Sequence, residues 1–228
     1  MPSCNVNVSG TWHPAVSVNV NVSGTWHSIV SGWVNVSGTW QKFFQSFTPV
    51  TNTYTTSQTI TVPTGASNLT IELWGSTGGG SGGSVAHLGQ GAGSGGYSKT
   101  VLAISSANWG QTIVLTIGAA GAAGAGNGNG GASTASTIAS GTFTITTMTA
   151  NPGAPGVTTH VASAGGTASG GNTTNTTGNT DPANTQPGAT GIVGTNGTGL
   201  SGGNGAAIAG ATQPGSAGNT GQVIAAWT

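Results

Sequence analysis

Forty-four of the 228 residues are glycine, and most of them stand in long tracts at residues 75–96, 118–131 and 150–221. No segment carries the apolar i, i+3, i+4, i+7 pattern with caps, so little or no α-helix is expected. Collagen is excluded, because it needs glycine at every third position without lapse and the last tract mixes Gly-x-Gly, Gly-Gly and Asn-Gly steps. Two readings of the tracts are open. One is flexible linker. The other is packed polyglycine-type helices, which have no internal hydrogen bonds, approach closely, and bond to one another through backbone groups. Packing is preferred, because the apolar run Gln222–Trp227 at the far end should return to a core. A structureless loop of this length inside a domain is also uncommon.

Between the tracts lie strand signals. In Leu69–Trp74, Leu69, Ile71 and Leu73 alternate with Thr70, Glu72 and Trp74. Such alternation marks a strand with one buried face. Tyr97–Ile104, Thr112–Ile117, Phe143–Met148 and Gln222–Trp227 read as further strands, and Val50–Val62 as a Thr-rich strand segment closed by a Pro63-Thr64-Gly65 turn.

The N-terminus holds an internal repeat. VNVSGTWH at Val6–His13 recurs at Val20–His27, and VNVSGTWQ follows at Val34–Gln41, with a spacing of 14 residues. Each copy sets a β-favouring tripeptide before Ser-Gly, which is a hairpin signal because Gly accepts positive φ. Trp12, Val16, Val18, Val20 and Val22 share one parity, so one face of these strands is expected to be buried. A unit this short cannot own a core and must stack on a neighbour or another chain. The expected fold is therefore all-β: a β-hairpin repeat module over residues 1–47, serving attachment and oligomerisation, then a glycine-rich β domain over residues 48–228.

Charge narrows function. The chain has two Lys, no Arg, one Asp and one Glu. Nucleic-acid binding needs cations to neutralise phosphates, and a membrane-surface binder needs a polybasic patch. Acid–base catalysis and hard-metal sites usually draw on several carboxylates. Binding or assembly is expected rather than catalysis, with no cofactor, no metal, no nucleic acid and no membrane insertion. The opening MPSCNVNVSG has no basic n-region or apolar h-region, so no secretory signal is expected.

From about Thr53 onward the order of elements resembles the glycine-rich domains of bacteriophage tail fibres and tail-tip adhesins. The resemblance rests on TITVPTGASNLTIELWGSTGGGSGG, on the Gly95-Gly96-Tyr97 strand entry, on TIVLTIGAAGAAGAG, and on a Val-Ile-rich C-terminal strand. The VNVSGTW units are similar to short Trp-containing repeats of phage virion proteins. The resemblance implies a virion protein, made in the host cytoplasm and released by lysis, acting as a tail fibre or receptor-binding adhesin. A capsid or tail decoration protein is the alternative, and a bacterial surface filament protein a more distant one.

On this reading Trp12, Trp26, Trp33 and Trp40 are candidates for attachment to other virion proteins, against the plainer reading that they fill small hairpin cores. A homotrimer in contact through residues 1–47 is expected. Candidate contacts to a host glycan or outer-membrane protein are Asn172, Thr174, Asn175, Asn179, Asp181, Asn184 and Gln186, polar groups within a tract whose loops are free to vary. Other motifs carry little. Gly91-x-Gly93-x-x-Gly96 lacks the following helix and acidic residue of a dinucleotide site. His13 and His27, with Gln41 at the third repeat, do not make a metal site within one chain. Cys4 reads as an inert terminal thiol.

Overall fold

The computed structural model describes residues 5–8, 10–14, 18–29, 31–83, 88–159, 161–183, 200, 202–206 and 212–228. The three repeats fold as three two-stranded hairpins. They are β1 (Asn5–Val8) with β2 (Thr11–Pro14), β3 (Asn19–Val22) with β4 (Thr25–Ser28), and β5 (Ser31–Val36) with β6 (Thr39–Gln45). Ser23 and Gly24 have φ of 51° and 85°, and Ser37 and Gly38 repeat this at 53° and 86°. Two successive positive φ values define the primed turn that matches strand twist. Asn21 Oδ1 accepts the Gly24 N–H and Asn35 Oδ1 accepts the Gly38 N–H, each at 2.9 Å, so the Asn of the second and third repeats braces its own turn.

The turn also corrects the expectation of one buried face. It sets Val22 opposite Thr25 and Asn21 opposite Trp26. Residues directly opposite share a face, so the valines and the tryptophan of one hairpin lie on opposite faces. Neither face is covered: Val20, Val22 and Trp26 are all exposed, as are Val34, Val36 and Trp40.

Residues 50–228 form two five-stranded antiparallel sheets. The remaining strands are β7 (Val50–Tyr54), β8 (Gln58–Thr61), β9 (Asn68–Trp74), β10 (Tyr97–Ala103), β11 (Thr112–Thr116), β12 (Ser136–Ser140), β13 (Met148–Ala150), β14 (Ala168–Ser169), β15 (Thr174–Thr176) and β16 (Gln222–Trp227). One sheet has the order β15-β10-β9-β16-β7 and the other β14-β13-β12-β11-β8. The alternating residues read from the sequence meet between them. Leu69, Ile71 and Leu73 stand opposite Trp227, Ala225 and Val223 in the first sheet. They pack against Ile60, Ile113, Leu115, Ile138 and Met148 of the second. Gln222–Trp227 thus returns to the middle of a sheet. Among the described residues there is no α-helix, only a 3₁₀ turn at Ser106–Asn108.

The glycine tracts continue this sandwich as a bundle of extended helices. Hydrogen bonds from residues 75–83 recur every three residues, the period of a three-residue-per-turn helix without internal bonds. Each phase of the repeat serves a different neighbour. The N–H groups of Thr77, Gly80 and Gly83 reach the carbonyls of Asn219, Ser216 and Gln213. Those of Gly79 and Gly82 reach Gly131 and Gly128, and those of Gly75 and Ser81 reach Gly96 and Gln90. The carbonyls are used in the same way. Thr77, Gly80 and Gly83 accept from Gly121, Gly124 and Asn127; Gly78 and Ser81 accept from Gly203 and Ala206; Ser76 and Gly79 accept from Gly153 and Gly156.

Residues 75–83 are therefore ringed by six segments. In order around the ring these are 118–127, 128–134, 151–156, 89–96, 202–206 and 213–221, and each is hydrogen-bonded to the next. Segments accepting from the centre run antiparallel to it and segments donating to it run parallel. The long tract read as linker or packed helix is bonded to neighbouring segments at 151–156, 163–167, 178–181, 202–206 and 213–221.

Glycine is needed here for space, not for backbone torsion, since no glycine of residues 75–96 has positive φ. A methyl on Gly79, Gly80 or Gly82 would sit inside 3.0 Å of the carbonyl oxygens of Ala122, Asn204 and Ala125.

The structure departs from the sequence reading at Phe143–Met148. The strand starts only at Met148, and an unforeseen strand, β12, precedes it. Side-chain bonds hold the intervening stretch in a compact loop: Ser140 Oγ donates to the Ile145 carbonyl and accepts its N–H, while Thr112 Oγ1 accepts the Thr142 N–H. Phe143 still reaches the core. Val50–Val62 also divides, giving β7 to one sheet and β8 to the other.

Gly79→Ala and Gly82→Ala should each destabilise the fold by about 3 kcal/mol or more, because the obstructing atoms are backbone carbonyls that cannot rotate away. Gly128→Ala, whose nearest obstruction is at 3.2 Å, should cost much less. Denaturant unfolding of the three variants checks this ranking.

Candidate functional site

Four places on the described surface bear on function. The first is the set of hairpins. Trp26 is 69% exposed, Trp40 66% and Trp33 52%. Trp26 and Trp40 take equivalent positions of the repeat, and none of these three solvated indoles is core filling. Trp12 holds the same register position, opposite Asn7, and its side chain lies outside the described residues. His27 is exposed on β4 opposite Val20, and Gln41 takes the equivalent place opposite Val34. The side chain of His13 lies outside the described residues, as do Cys4, His87 and His160.

The second is a clasp on the outer face of the first sheet. Antiparallel pairing sets Lys99 opposite Glu72, and Lys99 Nζ lies 3.1 Å from Glu72 Oε1. The Tyr97 hydroxyl donates to the same oxygen at 2.8 Å. The Tyr97 ring meets Trp74 at a centroid distance of 5.0 Å and a tilt of 52°. Burial, then the Glu72 carboxylate, pushes the Tyr97 phenol well above its ordinary range. Both ionic side chains are partly exposed, so the pair itself stabilises by less than about 1 kcal/mol. Sequence reasoning missed the cluster. Its signal was the alternation of β9 and β10, which puts Glu72 and Lys99 on outward positions of neighbouring strands.

The third is the segment expected to contact a receptor. Its polar groups are largely engaged within the fold. Asn172 pairs with Val101 like a strand residue, Oδ1 accepting the N–H at 2.9 Å and Nδ2 donating to the carbonyl at 2.8 Å. Thr174 lies in β15 opposite Lys99. Asn175 Oδ1 accepts from Ser98 Oγ and the Gly171 N–H, while Nδ2 donates to the Gly171 carbonyl. The Asn179 N–H donates to Ser94 Oγ and its carbonyl accepts the Ser94 N–H. Asp181 is 2% exposed. Its Oδ2 accepts from Gln90 Nε2 at 2.7 Å, and the Gly91 backbone N–H adds a second bond. Burial raises the Asp181 carboxyl above its usual range against these two bonds, which lower it. Asn184 and Gln186 lie outside the described residues.

The fourth was not foreseen. The bundle helices run out from the sandwich and back, so their far turns gather at one end. Asn127 takes φ of 56° in the turn joining residues 118–127 to 128–134. Asn129 Oδ1 accepts from both the N–H and the hydroxyl of Thr158 on the next far turn, at 2.9 and 3.2 Å. Thr212 stands against Gly126 beside the first of these turns. These groups lie far apart in sequence, and only the bundle brings them together. Among the described residues no three His, Cys, Asp or Glu side chains converge on a point. Among the described residues no helix is long and apolar enough to cross a membrane.

The model of the glycine-rich domain family matches residues 51–228, and the chain belongs to that family. No curated protein matches it.

The raised Asp181 pKa sets a direction for pH dependence. The folded state holds this proton more tightly than the unfolded chain does, so the group's contribution is fully present below the ordinary carboxylate pKa. It is lost as pH rises through the raised value. Stability should therefore rise as pH falls from neutral into the mildly acidic range. Asp181→Asn, which can still accept from Gln90, should flatten that slope. Thermal melts of the two proteins across this window test the sign.

Proposed function

We propose that this protein is a bacteriophage virion structural protein, a tail fibre or receptor-binding adhesin that contacts the host cell surface. The hairpin repeats of residues 1–47 attach it to other virion proteins and to its own copies, as a homotrimer, through Trp12, Trp26, Trp33 and Trp40. The glycine-rich domain carries contact loops to a host glycan or an outer-membrane protein.

One observation carries this reading: a bundle held by backbone hydrogen bonds, nearly free of charge, gathers turns from distant parts of the chain at one end. Binding residues sit preferentially on loops held by a rigid scaffold. Neutral Asn, Thr and Ser groups hydrogen-bond sugars or loops without strong salt dependence. Exposed indoles on two-stranded hairpins support the attachment role, because such hairpins are marginal alone and gain stability when covered. A capsid or tail decoration protein with a purely structural role is the alternative.

Two results are expected. Changing both Trp26 and Trp40 to Ser should lower the assembled mass in light scattering and reduce incorporation into particles, while the strand signal in circular dichroism persists. Exchanging residues 167–197, or the far turns at 127–129 and 157–159, for those of a related protein should alter adsorption to host cells. Unchanged adsorption and host range in folded, incorporated chimaeras of both kinds would leave the decoration role in its place. Labelling the protein on intact particles separates the two directly, a distal tip against a repeated shell position.

A further inference from the structure

The bundle has an open side. Residues 151–156 use two of their three donor phases. The N–H groups of Asn151 and Ala154 reach the carbonyls of Thr167 and Ala164, and those of Gly153 and Gly156 reach Ser76 and Gly79. The third phase is occupied by Pro152 and Pro155, which have no N–H. In the central helix the corresponding third phase is bonded to a neighbour. Around 151–156 the order of neighbours is 128–134, 75–83, 89–96 and 163–167, which leaves, among the described residues, an unfilled arc between the first and the last. A groove of about 330 Å³ lies in that arc. Pro152 and Pro155 line it, together with Ala132 and Ser133 on one wall and Ala164 and Thr167 on the other. Ser133 Oγ is buried there without a hydrogen-bond partner.

We infer that Pro152 and Pro155 are stops that keep a glycine-rich helix of a second copy of this chain from entering this groove. The interaction they block is the one that builds the bundle. Its rule is simple: a helix with free donors every third residue, and no side chain in the way, accepts a neighbour. A second copy carries the same glycine-rich helices, and the groove is continuous with the hydrogen-bonded lattice on both walls. Proline at both positions of the open phase removes the donors and fills the approach with rings, the helical counterpart of proline on an edge strand. Another outer helix is closed by different means. Residues 118–125 turn Gly118, Gly121 and Gly124 inward and expose the methyls of Ala119, Ala122 and Ala125.

The test is assembly state as a function of concentration, in the full chain. P152G/P155G restores both donors and clears the groove; P152A/P155A restores donors and leaves methyls. The glycine pair should give species heavier than the wild-type assembly that grow with concentration in light scattering, and the alanine pair fewer of them. A folded glycine pair that keeps the wild-type mass at all concentrations would overturn the inference. So would loss of the strand signal and of cooperative melting in both pairs, since the rings would then be holding the helix itself rather than closing an edge.

Discussion

Everything in the glycine-rich domain depends on how near two backbones can come. An extended three-residue helix satisfies none of its own N–H and C=O groups, and a buried polar group left unpaired costs about 1–3 kcal/mol. Pairing must come from neighbours, and neighbours come within reach only where no side chain intervenes. The central helix comes close to meeting that condition. Its bonded donors go to three alternate segments of the ring and its bonded carbonyls mainly to the other three. This is the accounting a sheet achieves with two neighbours, extended to six.

That constraint explains the composition. Where ordinary domains place large apolar residues, the bundle places glycine, with Ser76, Thr77 and Ser81 as its buried side chains on the central helix. The hydrophobic core is confined to the sandwich, where Leu69, Ile71, Leu73 and Trp227 pack against the second sheet. The two parts are one construction, since β9 passes directly into the central helix at Gly75 and β16 receives the last helix at Gly221. With cohesion supplied by backbone groups and a short apolar core, ionic side chains are dispensable. The few present are put to local use, Glu72 with Lys99 and Tyr97, and Asp181 with Gln90. The same logic makes the outer surface of the bundle a matter of selection, because any outward glycine or free donor phase invites another helix.

The hairpin repeats follow opposite rules. They have no core and no lattice, only a primed turn braced by Asn and strands whose apolar side chains lie on both faces. Trp26, Trp33 and Trp40 stand exposed on them.

By itself the sequence marked most of the longer elements. The Ser-Gly steps fixed the hairpins, because an L residue and a glycine at successive positive φ admit little else. The alternation of Leu69–Trp74 marked a strand and its two faces, and Thr112–Ile117 and Gln222–Trp227 were legible as strands. The glycine tracts announced either looseness or close packing, and the apolar run beyond them argued for packing. Tertiary structure alone decided the rest. Which helix neighbours which is carried by backbone groups that are the same in every residue, so no side-chain code names the partner. For the same reason the meeting of Asn129 with Thr158 was invisible, as was the burial of Asp181 within a segment read as exposed loop. Phe143–Met148 misled for a local reason, since Ser140 and Thr112 offer its backbone side-chain partners that a strand would have had to outbid. Periodicity can report which face of an element is buried, but it cannot report against what, because that depends on the other segments being in place.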